Sequence, residues 1–165
     1  MSKNERPDIV VVDDDFAGEV VSESFSESGN SVARFSHGRE ALDYISRQPR
    51  GSIRLVVTDV NMPVLNGPEM ISGALGGLTY EQSKFLFITG GCIAPEQAKL
   101  LSNLLTDKRC LGILGKPLYG DDIQAILNVY AAMKKTRKGA VEIVDFNDEG
   151  LAGVMSAIRQ KTLKV

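Results

Sequence analysis

Residues 9–16 read "IVVVDDDF": four apolar residues run directly into three consecutive aspartates. The apolar half has the character of a buried strand, extended upstream as "DIVVVD" (8–13). The acidic half needs an explanation, because like charges about 4 Å apart cost roughly 1 kcal/mol in water and several times that where water is scarce. One aspartate would serve a turn; three at one strand end call for a compensating cation.

Outward from this stretch, short apolar runs alternate with longer amphipathic ones. "AGEVVSESFSES" (17–28) reads as a helix closed by Gly29, and "SVARF" (31–35) as a second, more alternating strand. "GREALDYISRQ" (38–48) is helical, with Ala41, Leu42 and Ile45 on one face and Pro49 and Gly51 ending it. "IRLVVTD" (53–59) is a third strand, and "MPVLNGP" (62–68) is a loop leading to the helix "PEMISGAL", with Pro68 suited to its first position. "KFLFITGG" (84–91) is a fourth strand running into two glycines, and "PEQAKLLSNLL" a helix opened by Pro95. "CLGILGK" (110–116) is a fifth strand, and "DDIQAILNVYAAMKK" (121–135) a fifth helix, its start assigned to Gly120 or Asp121 as cap.

Five strand–helix units in strict alternation imply an α/β fold with a parallel sheet covered by helices on both faces. Runs such as VVV and FLFI, apolar on both sides, suit strands buried on both faces. Residues 1–135 read as one domain. Beyond it the character changes: "KKTRKG" (134–139) reads as a basic helix end and linker, "AVEIVDF" as a short strand, and "DEGLAGVMSAIRQKTL" as an amphipathic helix. In that helix Leu151, Val154, Met155 and Ile158 share an apolar face that needs its own domain, a partner or a second copy of the chain to pack against. Thus 136–165 is expected to be a strand–helix extension.

The bulk composition narrows the function. The 165 residues are 43% hydrophobic and 24% charged, as in a globular domain with a core. Nineteen basic against 21 acidic residues give a net charge of −2, which offers no general attraction to nucleic acid or anionic membranes. "MSKNERPD" lacks the apolar stretch of a signal peptide, and no run is long enough to span a membrane, so a cytoplasmic location is expected. Cys92 and Cys110 have neither CxxC spacing nor neighbouring histidines, so they read as reduced thiols rather than zinc ligands. His37, in the loop after the second strand, reads as exposed and without a catalytic part.

In a parallel α/β sheet the C-terminal ends of the strands lie on one edge, where ligands bind. Here those ends carry Asp13, Asp14 and Asp15, then Asp59, then Thr89 with Gly90, then Lys116. Hard oxygen donors from two strands suit Mg²⁺, which takes a few carboxylates and keeps several waters. A hydroxyl and an ammonium suit the oxygens of a phosphoryl group, whose transfer depends on positioning and charge neutralisation. With no catalytic histidine, the acceptor must be a carboxylate or a hydroxyl; Asp59, alone at its strand end, is the best placed.

At these residues the chain resembles the receiver domain of bacterial two-component response regulators, through "VVVDDD", "VVTDVNMPVLNG", "FLFITGG" and "LGKPL" in that order over about residues 7–135. Asp59, Met62, Pro63 and Gly67 form its Asp-x-x-Met-Pro-x-x-x-Gly pattern. The resemblance implies a flavodoxin-like fold of strand order 2-1-3-4-5. It implies that Asp59 accepts a phosphoryl group from a sensor histidine kinase or phosphotransfer protein. Asp14 and Asp59 would ligate Mg²⁺ directly, Asp13 would help hold it through water, and the Asn61 carbonyl would be a further ligand. Lys116 would pair with the phosphate, Thr89 would hydrogen-bond it, and the backbone at Asn61 and Gly90 would line it. The Lys116–Pro117 peptide is expected to be cis. Asp15 needs no metal role, since starting the first helix suffices.

Some residues depart from the family pattern. Ile113 stands where an aromatic switch residue is usual, so the resemblance does not carry over the common output route. The stretch around "LLTDKRCLG" is longer than usual, and Gly90 and Gly91 resemble the "TGG" of receivers from hybrid kinases. Two other functions compete with this reading. A haloacid-dehalogenase-type Mg²⁺ phosphatase finds Asp13-x-Asp15 and a "GDD" at 120–122, but has Ala17 where Thr or Val belongs and its late acidic motif too near the lysine. A phosphorylation-independent binding platform is the other, although every key receiver residue is present. About thirty residues with one expected helix cannot form a helix-turn-helix, so no DNA binding is expected. The expected protein is a stand-alone signalling receiver rather than a turnover enzyme, or else a receiver cut from a hybrid kinase. Dimerisation through the C-terminal helix or the helix four–strand five face is a further expectation.

Overall fold

The computed structural model describes residues 6–79 and 82–135. Their elements follow the expected alternation: β1 (Ile9–Val12), α1 (Phe16–Glu27), β2 (Val32–Phe35), α2 (Gly38–Arg47), β3 (Leu55–Asp59), α3 (Gly67–Ala74), β4 (Lys84–Thr89), α4 (Pro95–Leu105), β5 (Cys110–Gly115) and α5 (Gly120–Lys135). The expected C-terminal strand and helix, and with them a dimer contact through that helix, lie outside the described residues.

The strands form one parallel sheet in the order β2-β1-β3-β4-β5. Alternation along each strand divides the core in two. Val10, Val12, Val56, Phe85 and Phe87 point to the face covered by α2, α3 and α4, where they meet Ala41, Ile45, Met70, Ile71, Leu101 and Leu104. Ile9, Val11, Leu55, Val57, Leu86 and Ile88 point the other way, onto Val21, Phe25, Ile126, Val129 and Tyr130 of α1 and α5. Burying one such side chain contributes about 1.5–3 kcal/mol. The unbroken apolar runs of β1 and β4 are therefore a consequence of covering on both faces. β2, at an edge, is only half-buried, which accounts for its alternating sequence.

Local chemistry sets the helix ends. Asp15 starts α1 by accepting from the Ala17 N–H at 2.8 Å. Gly29, at φ +78°, closes that helix in the left-handed conformation, with its N–H bonded to the Ser26 carbonyl. The Asn66 side chain caps α3 through the Glu69 N–H at 2.9 Å. α5 differs from expectation: Gly120 is already helical, and the cap comes from inside, where Asp122 Oδ2 accepts from the Tyr119 N–H at 2.8 Å. His37 also differs. It ends the loop before α2, as expected, but is half-buried rather than exposed, with Nε2 3.3 Å from Glu40 Oε1.

Candidate functional site

Strand register assembles the candidate residues. Val12 pairs with Thr58, so Asp13 and Asp59 leave neighbouring strands at the same level. Thr89 pairs with Gly115, and the next residue, Lys116, donates its N–H to the Thr89 carbonyl at 2.8 Å. The Lys116–Pro117 peptide is cis. The loop from β3 to α3 returns close to the strand end: the Gly67 N–H donates to the Val60 carbonyl at 3.1 Å, and a Cβ on Gly67 would collide with the Asp59 carbonyl oxygen. Only glycine lets that loop fold tightly beside the carboxylate.

Lys116 Nζ lies 3.0 Å from Asp13 Oδ2, 2.7 Å from Asp15 Oδ2 and 3.2 Å from Asp59 Oδ2. Asp13 is wholly buried and Asp59 is 5% exposed, whereas Asp14 faces solvent. Asp13 Oδ1 accepts from the Asp15 N–H at 2.9 Å. Asp59 Oδ1 is buried with no hydrogen-bond partner, which is costly unless something binds there. Burial raises the Asp13 carboxyl to about 6 despite the Asp15 N–H and Lys116. Burial also raises Asp59, against the pull of Lys116 and the Asn61 N–H. At Asp15 the effect of burial is outweighed by Lys116 and the Ala17 N–H, so its carboxyl is held low. Lys116 is itself raised, its burial outweighed by Asp15, Asp13 and Asp59.

Three carboxylates, those of Asp13, Asp15 and Asp59, thus face one ammonium. Asp13, Asp14 and Asp59 each offer an oxygen within 4.8 Å of the others. Opposing ligands of an octahedral Mg²⁺ stand about 4.2 Å apart, so small side-chain adjustments would close this set around the ion. The orphaned Asp59 oxygen and the all-oxygen donor set both fit such a cation. Cys92 and Cys110 are free thiols, and burial pushes the Cys110 thiol up to about 12.

The other expected residues lie on the same sheet edge. Thr89 ends β4, half-buried, and its hydroxyl oxygen accepts a long bond, 3.4 Å, from the Gly91 N–H. Gly90 is exposed, and a Cβ there would meet nothing. The Asn61 side-chain nitrogen donates to the Cys92 carbonyl at 2.8 Å, joining the loop after β3 to the loop after β4. Ile113 is 7% exposed and packs in the core on the α2–α4 face. Asp122 of the "GDD" caps α5, so the late acidic motif of the phosphatase reading is used structurally.

Three features were not read from the sequence. Asp15 pairs with Lys116 as well as capping α1. Asn61 bridges two loops through its side chain. Val64, 82% exposed, holds a left-handed φ of +69°, an uncommon conformation for a β-branched residue. The run of three aspartates was the only signal for the first; nothing local signalled the others.

No curated protein sequence matches the chain significantly. Among solved structures, it is similar to the Vibrio cholerae chemotaxis protein CheY4 (23% identity, TM-score 0.56, 76% of this chain and 96% of that one). The receiver domain of the hybrid histidine kinase CckA is similar to the same degree (23%, TM-score 0.57, 76% and 96%). A CheY-like receiver domain protein from Methanospirillum hungatei shares 21% identity with a TM-score of 0.60 over 78% of this chain and 96% of that one. At these identities the likeness speaks for the fold. The family model of the response regulator receiver domain matches residues 9–128, most of the chain and every strand end described above, and the chain therefore belongs to the response regulator receiver domain family.

Proposed function

We propose that Asp59 is the phosphoacceptor of this receiver and that its loading requires Mg²⁺. The observation that carries the reading is the state of the Asp59 carboxylate: Oδ2 faces Lys116 at 3.2 Å, Oδ1 is buried without a hydrogen-bond partner, and one of its oxygens lies within 4.8 Å of Asp13 and Asp14 oxygens. A carboxylate oxygen of Asp59 attacks the phosphorus of a phosphohistidine on a sensor kinase or phosphotransfer protein. An O–P bond forms as the P–N bond breaks, and the donor imidazole leaves with that electron pair. When bound, Mg²⁺ neutralises charge on the phosphoryl oxygens. Asp13, Asp14, Asp59 and the Asn61 carbonyl would hold it. Lys116 supplies a fixed positive charge on the other side of Asp59, and the Thr89 hydroxyl and the backbone near Gly90 meet the remaining oxygens.

The result is a change of binding surface at α4 and β5, next to Thr89, rather than catalytic turnover. A downstream protein or a second copy of the chain would read it there. Ile113, packed in the core, has no ring to rotate, so loading at Asp59 would reach α4 through the Gly90–Gly91 segment and the Asn61–Cys92 bond.

Radiolabel from a small phosphodonor such as acetyl phosphate tests the reading. Mg²⁺-dependent label that hydroxylamine strips is the behaviour of an acyl phosphate and is expected. Label that survives hydroxylamine, as a serine or threonine ester does, contradicts it.

A further inference from the structure

Asp15 is absent from the roles assigned above, yet it makes the shortest of the three Lys116 contacts, an aligned hydrogen bond of 2.7 Å. An ammonium has three N–H bonds to donate. In this structure three carboxylates surround it, at 2.7, 3.0 and 3.2 Å. Asp13 and Asp59 belong to the oxygen set that suits a cation; Asp15 does not. As Asp13 and Asp59 turn their oxygens toward a cation, Asp15 remains the acidic partner of Lys116 that the cation does not compete for.

Asp15 makes three further bonds. Its N–H donates to Asp13 Oδ1 at 2.9 Å, its carbonyl accepts from Arg34 at 3.4 Å, and its Oδ1 caps α1 at 2.8 Å. With Oδ1 on the cap, Oδ2 faces Lys116. We propose that Asp15 is a positioning residue for phosphoryl transfer, holding the Lys116 ammonium beside Asp59 with the carboxylate oxygen that capping leaves free. This rests on Asp59 being the acceptor. Asp15 acts through Lys116 and touches no reacting atom.

Capping and positioning separate by substitution. Asp15→Asn and Asp15→Ser keep an oxygen for the Ala17 N–H but lose the negative charge that faces Lys116. Asp15→Glu can still reach the ammonium but is a poor cap. The full chain is measured in three ways: thermal midpoint, proton exchange of the Lys116 ammonium by ¹⁵N NMR without metal, and phosphoryl uptake from acetyl phosphate with Mg²⁺. Asp15→Asn and Asp15→Ser are expected to hold the midpoint, speed ammonium exchange and slow uptake about fivefold, since charge-assisted bonds are roughly twice as strong as neutral ones. Asp15→Glu is expected to lower the midpoint while keeping most of the uptake rate. Wild-type uptake and ammonium exchange in Asp15→Asn and Asp15→Ser would overturn the proposal and leave Asp59 as acceptor. No uptake by the wild type would overturn the acceptor reading, and this proposal with it.

Discussion

Lys116 Nζ stands 3.2 Å from Asp59 Oδ2, and the two side chains come from positions 57 residues apart in the chain, on strands separated by β4. The ammonium is the only cation placed against the buried carboxylates among the described ion pairs. Removing it leaves Asp13 and Asp59 buried and uncompensated, so Lys116→Met is expected to lower metal-free stability by about 3–5 kcal/mol. Urea denaturation measures this, and added Mg²⁺ is expected to restore part of the loss. Equal stability of variant and wild type would mean that the carboxylates shed their charge at little cost.

Gly67 is the backbone counterpart of that pair. A methyl group there meets the Asp59 carbonyl oxygen, part of the main chain that cannot swing aside as a side chain would. Gly67→Ala is expected to cost about 3 kcal/mol, at the upper end for overpacking, and to slow phosphoryl uptake by displacing Asp59. Thermal unfolding and uptake kinetics check both halves. Gly76→Ala is the control, since a Cβ at Gly76 meets nothing.

A pH prediction comes from the opposite end of β5. Arg109 grips Asp107 through two nitrogens, at 2.8 and 3.0 Å, and also donates to the Leu75 and Leu78 carbonyls. Hydrogen bonding to Arg109 holds the Asp107 carboxyl below its ordinary value, with burial opposing. A depressed folded pKa means that the unfolded chain binds the proton more tightly, so stability rises with pH across the interval between the two values. The Asp107 contribution is therefore complete above the ordinary carboxylate value and is lost as pH falls through the depressed one. Asp107→Asn is expected to flatten the acid side of the stability curve. Urea midpoints collected from neutral pH downward would show it, and parallel curves for variant and wild type would contradict it.

The sheet was legible in the sequence for a physical reason: strands covered on both faces carry unbroken apolar runs, and IVVV of β1 and FLFI of β4 announce themselves that way. Asp13, Asp59 and Lys116 were legible as a set because parallel strands deliver their C-terminal ends to one edge. What was missed depends on contacts between distant segments. Local spacing marks Asp15 as a cap, whereas its second bond is to a residue 101 positions away. The start of α5 was read from the residues before it, while the cap comes from Asp122, inside the helix. His37 does end the loop before α2, but nothing local shows that Glu40 faces it one helical turn on.

The most direct test of the central claim is the intact mass of the protein after incubation with acetyl phosphate and Mg²⁺, beside Asp59→Asn. The account predicts the added mass of one phosphoryl group on the wild type and none on the variant. Equal addition to both would place the phosphoryl group elsewhere, and no addition to either, with Mg²⁺ shown to bind, would contradict Asp59 as acceptor.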